Sequence, residues 1–130
     1  MTGNDGDGGA TSRLPRQNRA ATWRCPDPSE FSLLVVTQHL DIVVQMCGEL
    51  DVTALSSLEE CLTVAVGEEP RRLVLDLSAL DFIDAAGLGV LVRARHLAET
   101  RDVAFVLDSP TPTVTRVLAL TDLEGQFAIR

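Results

Sequence analysis

The sequence predicts a small α/β protein of a single domain, in which a mixed sheet of about four to five strands packs with about three helices in the order β-β-α-β-α-β-α. The chain has 130 residues, and 45% of them are hydrophobic. That is enough for one domain with a core of its own and too short for two. Runs rich in Val, Ile and Leu alternate with stretches whose apolar residues recur at helical spacing. This alternation is typical of strands that are connected by helices.

The first half of the domain is predicted to be a β-hairpin followed by a helix. Residues 31–37 and 42–47 are apolar runs that flank a short polar link, which favours a hairpin. Apolar residues then recur at helical spacing over residues 55–66. The candidate N-caps of this helix are Asp51 and Thr53, and its candidate terminators are Gly67 and Pro70.

The second half is predicted to contain a parallel crossover. Residues 72–77 and 103–107 are almost continuously apolar, as expected for strands that are buried on both faces. Residues 87–100 between them have one apolar helical face, so strand, helix and strand should form a right-handed parallel unit. We also expect a short helix near residues 113–120, preceded by Pro110 and Pro112, and a final strand over residues 127–129.

The N-terminal part differs in composition from the rest. Residues 1–28 are rich in Gly, Asn, Asp, Thr, Ser, Arg and Pro, with few apolar side chains, so we predict a disordered tail there and a folded domain over residues 29–130. Trp23 is the one large aromatic residue of this tail. It could contact the domain or a partner, or lie at the frayed edge of the first strand.

The charge distribution argues against nucleic acid as a partner. Residues 1–24 contain four arginines and two aspartates, so the net charge of −8 arises in the rest of the chain. An acidic domain repels phosphates, and the sequence has no lysine and no basic stripe with interleaved aromatic residues. The composition therefore favours proteins with basic patches as partners.

The sequence contains no predicted membrane span and no secretory signal. No apolar run approaches the roughly 18 to 20 residues that span a bilayer, and no apolar block with a cleavage site follows the N-terminal arginines. We therefore expect a cytoplasmic protein without membrane insertion.

Cys25, Cys47 and Cys61 are an odd set without CxxC spacing, which predicts free, buried thiols and neither a disulfide framework nor a zinc site. A redox pair of Cys47 with Cys61 is the alternative.

The stretch FIDAAGLGVL, residues 82–91, is the most unusual local feature. Asp84 stands where a strand is expected to turn into a helix, so its carboxylate can cap the unpaired N–H groups of the first helical turn. The residues that follow are small: Ala85, Ala86, Gly87 and Gly89. A corner so free of side chains would let the backbone of another protein approach closely, which predicts a contact surface.

Candidates for catalysis or metal binding are few. His39 and His96 do not stand beside a Ser or Cys in any arrangement typical of a nucleophile and its base. Asp76, Asp81 and Asp84 are close in sequence, but apolar residues separate them and their spacing matches no calcium loop. No glycine-rich phosphate loop with a lysine occurs. We expect neither an enzyme nor a bound metal or cofactor.

Four motifs together resemble a STAS domain of the anti-sigma-factor antagonist type. In chain order they are Gly48-Glu49-Leu50-Asp51, Val74-Leu75-Asp76-Leu77-Ser78, Phe82-Ile83-Asp84-Ala85-Ala86-Gly87-Leu88-Gly89-Val90, and Ser109-Pro110 ahead of Val114-Thr115-Arg116-Val117-Leu118. The resemblance covers about residues 30 to 129.

The resemblance implies a regulator that binds a kinase-type anti-sigma factor and so frees a sigma factor. It implies that the partner surface comprises Asp51, Asp84, Ala85, Ala86, Gly87, Leu88, Gly89 and Val90. In this type of domain the corner reads Asp-Ser-Ser/Thr-Gly, and the first hydroxyl is phosphorylated by the kinase-type anti-sigma factor. Ala85 stands at that position, with Ala86 beside it, so the resemblance implies that this chain is not phosphorylated at the usual site.

Two other roles stay open for a domain of this kind. One is a subunit of a transporter or lipid-trafficking ATPase complex, and the other is a ligand-sensing module. The sequence does not decide whether Ser56, Ser57 or Ser78 replaces the missing acceptor, and it leaves the oligomeric state open.

Overall fold

The structure, a computed structural model, describes residues 24–130, which form a five-stranded sheet with three α-helices. In chain order the elements are β1 (Ser32–Gln38), β2 (Asp41–Glu49), a 3-10 helix (Val52–Ala54), α1 (Leu55–Gly67), β3 (Arg72–Phe82), α2 (Ala85–Thr100), β4 (Ala104–Asp108), α3 (Pro112–Leu120), a second 3-10 helix (Glu124–Gln126) and β5 (Ala128–Ile129). The predicted mixed α/β fold and its order of elements are confirmed. Most of the predicted tail, including Trp23, lies outside the described residues.

The sheet has the strand order β1-β2-β3-β4-β5. The hairpin of β1 and β2 is antiparallel, whereas β2, β3, β4 and β5 pair in parallel. The β3-α2-β4 unit is therefore the predicted parallel crossover. In a parallel set of strands the carboxyl ends meet at one edge of the sheet, so the loops after β2, β3 and β4 share that edge.

The main core lies between one face of the sheet and the three helices. Alternate residues of β2, such as Ile42, Val44 and Met46, belong to the same buried cluster as Leu62 of α1 and Leu91 of α2. This alternation is the period of two that a strand imposes. The helix α3 contributes Val114 and Leu118 to the same cluster, so the helices lie on one principal face of the sheet. None of the helices in the described part of the chain has the length and apolar character needed to cross a bilayer.

The opposite face of the sheet is also buried, and it carries a disulfide. Val43, Gln45 and Cys47 alternate with the core residues of β2, and all three are less than 5% exposed. Cys47 is bonded to Cys25. The prediction of free thiols at Cys25 and Cys47 is therefore wrong, and so is the alternative pair of Cys47 with Cys61. Cys61 is a free cysteine. The error arises because spacing along the chain does not show that the segment before β1 passes over β2.

The third strand is longer than predicted because it contains a bulge. Pairing of β2 with β3 shifts between Gln45 and Cys47, where one residue of β2, Met46, faces two of β3, Leu77 and Ser78. Asp76 stabilises the shifted backbone, since its Oδ1 accepts hydrogen bonds from the N–H of Ser78 at 3.0 Å and from the Ser78 hydroxyl at 2.7 Å. The bulge carries β3 onward to Phe82, at the edge where the corner begins.

Candidate functional site

Two loops meet at the carboxyl edge of the parallel strands and form the candidate site. The end of β2 and the end of β3 are in register at Glu49 and Phe82. Immediately beyond them, the N–H of Leu50 donates to the carbonyl oxygen of Phe82 at 3.0 Å. The loop that carries Asp51 and the corner that carries Asp84 are thus tied together by the backbone. The structure brings together the two parts of the predicted partner surface.

Asp84 is the N-cap of α2, as the sequence predicts. Its backbone is extended, with φ −116° and ψ −175°, and its Oδ1 accepts from the N–H of Gly87 at 2.9 Å. Its carbonyl oxygen accepts the first helical hydrogen bond, from the N–H of Leu88. The carboxylate therefore satisfies one of the free N–H groups at the positive end of the helix dipole.

Asp51 has the same role in the neighbouring loop. Its side chain accepts from the N–H of Thr53 at 3.1 Å and from the Thr53 hydroxyl at 2.7 Å, and so caps the 3-10 helix that leads into α1. The prediction that Asp51 or Thr53 caps α1 is wrong for α1 itself, whose N-cap is Ala54 without a side-chain hydrogen bond. Asp51 caps the 3-10 helix directly before it. Both acidic residues of the candidate site are therefore held by local hydrogen bonds, and each fixes the shape of its own loop.

Gly87 allows the two loops to pack closely. A Cβ atom at this position would lie 2.8 Å from Cγ1 of Ile83 and 3.0 Å from Cδ2 of Leu50. Ile83 and Leu50 are almost completely buried. Because Gly87 has no side chain, the first turn of α2 lies directly on these two residues. The glycine of this corner is thus required by packing within the domain.

Exposure divides the corner into two sets of residues. Ala85 and Ala86 are exposed, and Asp84 and Gly89 are half-buried. Leu88 and Val90 point into the core and are at most 1% exposed. Three residues of the predicted partner surface are therefore part of the core: Gly87, Leu88 and Val90. The residues of the corner that another molecule can contact are Asp84, Ala85, Ala86 and Gly89.

Two exposed apolar side chains flank these residues. Val52, directly after Asp51, is 74% exposed, and Phe82, two residues before Asp84, is 43% exposed. Neither residue belongs to the predicted partner surface, because the pattern of a strand or loop does not show which apolar side chains are exposed to solvent. Leu40, Val64, Leu120 and Ile129 are also exposed, so the exposure of Val52 and Phe82 does not by itself identify a binding site.

The two histidines lie away from the corner. His39 lies in the β1–β2 turn, and His96 lies 11 positions after the first residue of α2, about 16 Å along the helix axis from the corner. Residues 24–130 contain no group of three His, Cys, Asp or Glu side chains that could hold a metal ion. Asp76 is buried among partners of its own, since Gln45 donates to its Oδ2 at 3.5 Å and Ser78 donates to its Oδ1.

The described architecture agrees with known proteins. A profile of the STAS domain family matches residues 33–130. The anti-sigma-B factor antagonist of Listeria monocytogenes is 31% identical over 94 residues, which are 72% of this chain and 81% of that protein. The anti-sigma-F factor antagonist RsfB of Mycobacterium tuberculosis is 33% identical over 64 residues, which are 49% of this chain. The match spans about half of RsfB, 52% of its length.

A solved structure has the same fold. The crystal structure of an anti-sigma factor antagonist from Mycobacterium paratuberculosis superposes with a TM-score of 0.68 and 29% identity, covering 79% of this chain and 87% of that one. The family profile covers most of the described domain, and it includes both the corner at Asp84 and the loop at Asp51. The chain belongs to the STAS domain family, and its domain is of the anti-sigma-factor antagonist type.

Proposed function

We propose that this protein is an anti-sigma-factor antagonist that binds a kinase-type anti-sigma factor and thereby frees a sigma factor. We further propose that it is not phosphorylated at the usual position, because Ala85 stands there. The similarity to proteins named anti-sigma-factor antagonists supports the first part. The proposed partner acts on a transcription factor, which puts the proposed site of action in the cytoplasm.

The observation that carries the proposal is the exposed Ala85-Ala86 step at the start of α2. Methyl groups leave the backbone of the first helical turn open to close approach, and the apolar Val52 and Phe82 on either side can be buried by a partner. Asp51 and Asp84 add negative charge on the same edge, which favours a partner with a basic patch.

The missing hydroxyl has a direct physical consequence. A phosphorylated serine at position 85 would add about −1.5 to −2 charges and three acceptor oxygens, next to the carboxylate of Asp84. Such a group would occupy the space that the partner's backbone would approach and would be repelled by Asp84 of its own chain, so it would weaken binding at the bare corner. Ala85 has no oxygen to accept the γ-phosphoryl group of ATP, so the proposed antagonist stays in its binding form when ATP is present.

The test is a binding titration with purified kinase-type anti-sigma factors encoded in the same genome. We expect a complex whose dissociation constant does not change when ATP and Mg²⁺ are added, and mass spectrometry should find no phosphate on this chain. Loss of the complex on addition of ATP, with phosphate on residues 24–130, would contradict the proposal. Absence of binding to every such anti-sigma factor would also contradict it.

Ala85→Ser tests the assignment of the acceptor position. Serine is tolerated at the start of a helix, so we expect this variant to fold and to bind as the parent does without ATP. With ATP and Mg²⁺ it should gain one phosphate and lose affinity. Ala119→Ser, at an exposed alanine of α3, is the matched control and should gain none. If neither variant is phosphorylated by a partner that binds the parent, position 85 is not the acceptor position.

A further inference from the structure

The Cys25–Cys47 disulfide attaches the segment before β1 to the second strand. The two Cα atoms are 5.8 Å apart, and the residues are 22 positions apart in sequence. Cys47 is completely buried and Cys25 is half-buried. In proteins of a reducing compartment, such a bond is usually transient and catalytic or redox-sensing.

The attached segment, residues 25–31, lies beside the candidate site. It passes over β2 at Gly48, where φ is +86° and where a Cβ atom would overlap the carbonyl oxygen of Glu30. At this crossing the segment forms one wall of a depression of about 490 Å³, and the Asp51 loop with the start of α1 forms the other. The residues that line it are Ser29, Glu30, Phe31, Asp51, Thr53, Ala54 and Ser57.

The hydrogen bonds of Asp27, Ser29 and Glu30 hold a local turn. Asp27 Oδ1 accepts from the N–H of Ser29 at 3.0 Å and from its hydroxyl at 2.8 Å, and the N–H of Glu30 donates to the carbonyl oxygen of Asp27. These bonds start and end within the segment, so they shape it without attaching it to β2. Phe31 packs against the core at the end of the segment, and the disulfide is the covalent attachment at its start.

We propose that the Cys25–Cys47 pair is a redox latch: the disulfide holds residues 25–31 against Gly48 and so fixes the wall next to Asp51, and its reduction releases that wall. Because Asp51 and Thr53 remain exposed in the disulfide form, the latched segment shapes the partner surface and does not cover it. The oxidised form therefore binds the anti-sigma factor more tightly than the reduced form. This regulatory part rests on the proposed function.

The chemistry of the latch is a two-electron oxidation. Hydrogen peroxide takes an electron pair from the two thiols, the S–S bond forms, the O–O bond breaks, and the two thiol protons leave in two molecules of water. A small dithiol such as dithiothreitol reverses the step by thiol–disulfide exchange and becomes the cyclic disulfide. Cys61 is a suitable control, because burial raises the pKa of its thiol and so lowers the fraction of reactive thiolate.

Hydrogen exchange on the full-length chain tests the latch. The protein is compared after treatment with hydrogen peroxide, after reduction with dithiothreitol, and as the variants Cys25→Ser and Cys61→Ala. Reduction and Cys25→Ser should each speed exchange in residues 27–31 and 49–54 by about tenfold or more. Cys61→Ala should respond to oxidation and reduction as the parent does. Equal exchange in both redox states overturns the latch, whatever the partner does.

Titration of the same four samples with the purified kinase-type anti-sigma factor tests the regulation. We expect the reduced parent and Cys25→Ser to bind about three- to tenfold more weakly than the oxidised parent, since a released wall has to be ordered again on binding. Equal affinities together with a change in exchange overturn the regulatory role and leave the proposed function standing. Absence of binding in every sample overturns the proposed function and the regulatory role with it. The exchange rates then still show whether the disulfide holds residues 25–31 in place.

Discussion

Gly87 is the residue on which the shape of the corner depends most directly. We expect Gly87→Ala to lower the free energy of unfolding by about 1–3 kcal/mol, because the new methyl group would be forced against Ile83 and Leu50. Gly89→Ala is the matched control in the same helix, since its methyl group would be 3.5 Å from Arg93 Nη1 and in ordinary contact. It should raise stability by about 0.5–1 kcal/mol. Urea denaturation measures both, and equal effects of the two variants would contradict the packing described for Gly87.

Asp84 combines a capping role with a proposed role in partner binding, and two substitutions separate them. Asp84→Ala removes the bond to the N–H of Gly87 and should destabilise the fold by about 1 kcal/mol. Asp84→Asn keeps an oxygen that can cap, so thermal unfolding should show a much smaller loss. If the charge contributes to the partner surface, Asp84→Asn should still weaken binding. Equal destabilisation by both substitutions would contradict the capping assignment.

The cap at Asp84 could be predicted from the sequence, whereas the apolar flanks of the site could not. A short polar residue between an apolar strand and a run of Ala and Gly indicates an N-cap by local chemistry alone, and the structure has that cap. The exposure of Val52 and Phe82 depends on where neighbouring loops end. The burial of Leu88 agrees with the apolar helical face predicted over residues 87–100. The burial of Val90 depends on how α2 is oriented on the sheet, which the spacing of apolar residues does not show.

The strands and helices followed from periodicity, and two features of β2 and β3 did not. Apolar runs and helical spacing predicted the hairpin, the crossover and α3. The extension of β3 to Phe82 depends on a bulge that Asp76 stabilises through its hydrogen bonds with Ser78. Because the bulge contains polar residues, the apolar pattern of the sequence predicts that the strand ends before it. The Cys25–Cys47 bond depends on the crossing of residues 25–31 over Gly48. The spacing of the cysteines in the sequence does not predict this long-range contact.

An ion pair joins the starts of β2 and β3 and gives these strands a predictable pH dependence. Asp41 Oδ2 accepts from Arg72 Nη2 at 2.7 Å, and Asp41 Oδ1 accepts from Arg71 Nε at 3.4 Å. The hydrogen bond from Arg72 is the main cause that lowers the pKa of Asp41 below its ordinary value of 3.8. Because the lowered pKa belongs to the folded state, the pair stabilises the protein above pH 3.8, and this contribution is lost as the pH falls through the lower, folded-state value.

Asp41→Asn should therefore reduce the free energy of unfolding at pH 7, and the difference from the parent should shrink as the pH falls below 3.8. Urea titrations at neutral pH and at successively lower pH values measure this difference. Asp81→Asn, at an exposed aspartate of β3, is the control and should change stability little throughout. A difference between Asp41→Asn and the parent that grows towards low pH would contradict the assigned ion pair.

The whole domain places its two ends in different chemical settings. The three helices pack on one face of the sheet. At the carboxyl edge of β2 and β3, Asp51, Ala85 and Ala86 are exposed to solvent. The opposite edge carries the β1–β2 turn with His39 and the ion pairs of Asp41. Composition predicted a single acidic domain, and the parallel topology explains why motifs far apart in the chain, at Asp51 and Asp84, meet at one edge.

The affinity of Ala85→Asp for the kinase-type anti-sigma factor tests the proposed role of the corner most directly. The substitution places a second carboxylate beside Asp84 on the exposed first turn of α2. We expect the affinity to fall by about tenfold or more, because the added side chain blocks close approach of the partner and its charge loses water on binding. Ala119→Asp makes the same change on the exposed surface of α3 and should leave the affinity unchanged. If Ala85→Asp binds as tightly as Ala119→Asp, the partner does not bind at this corner.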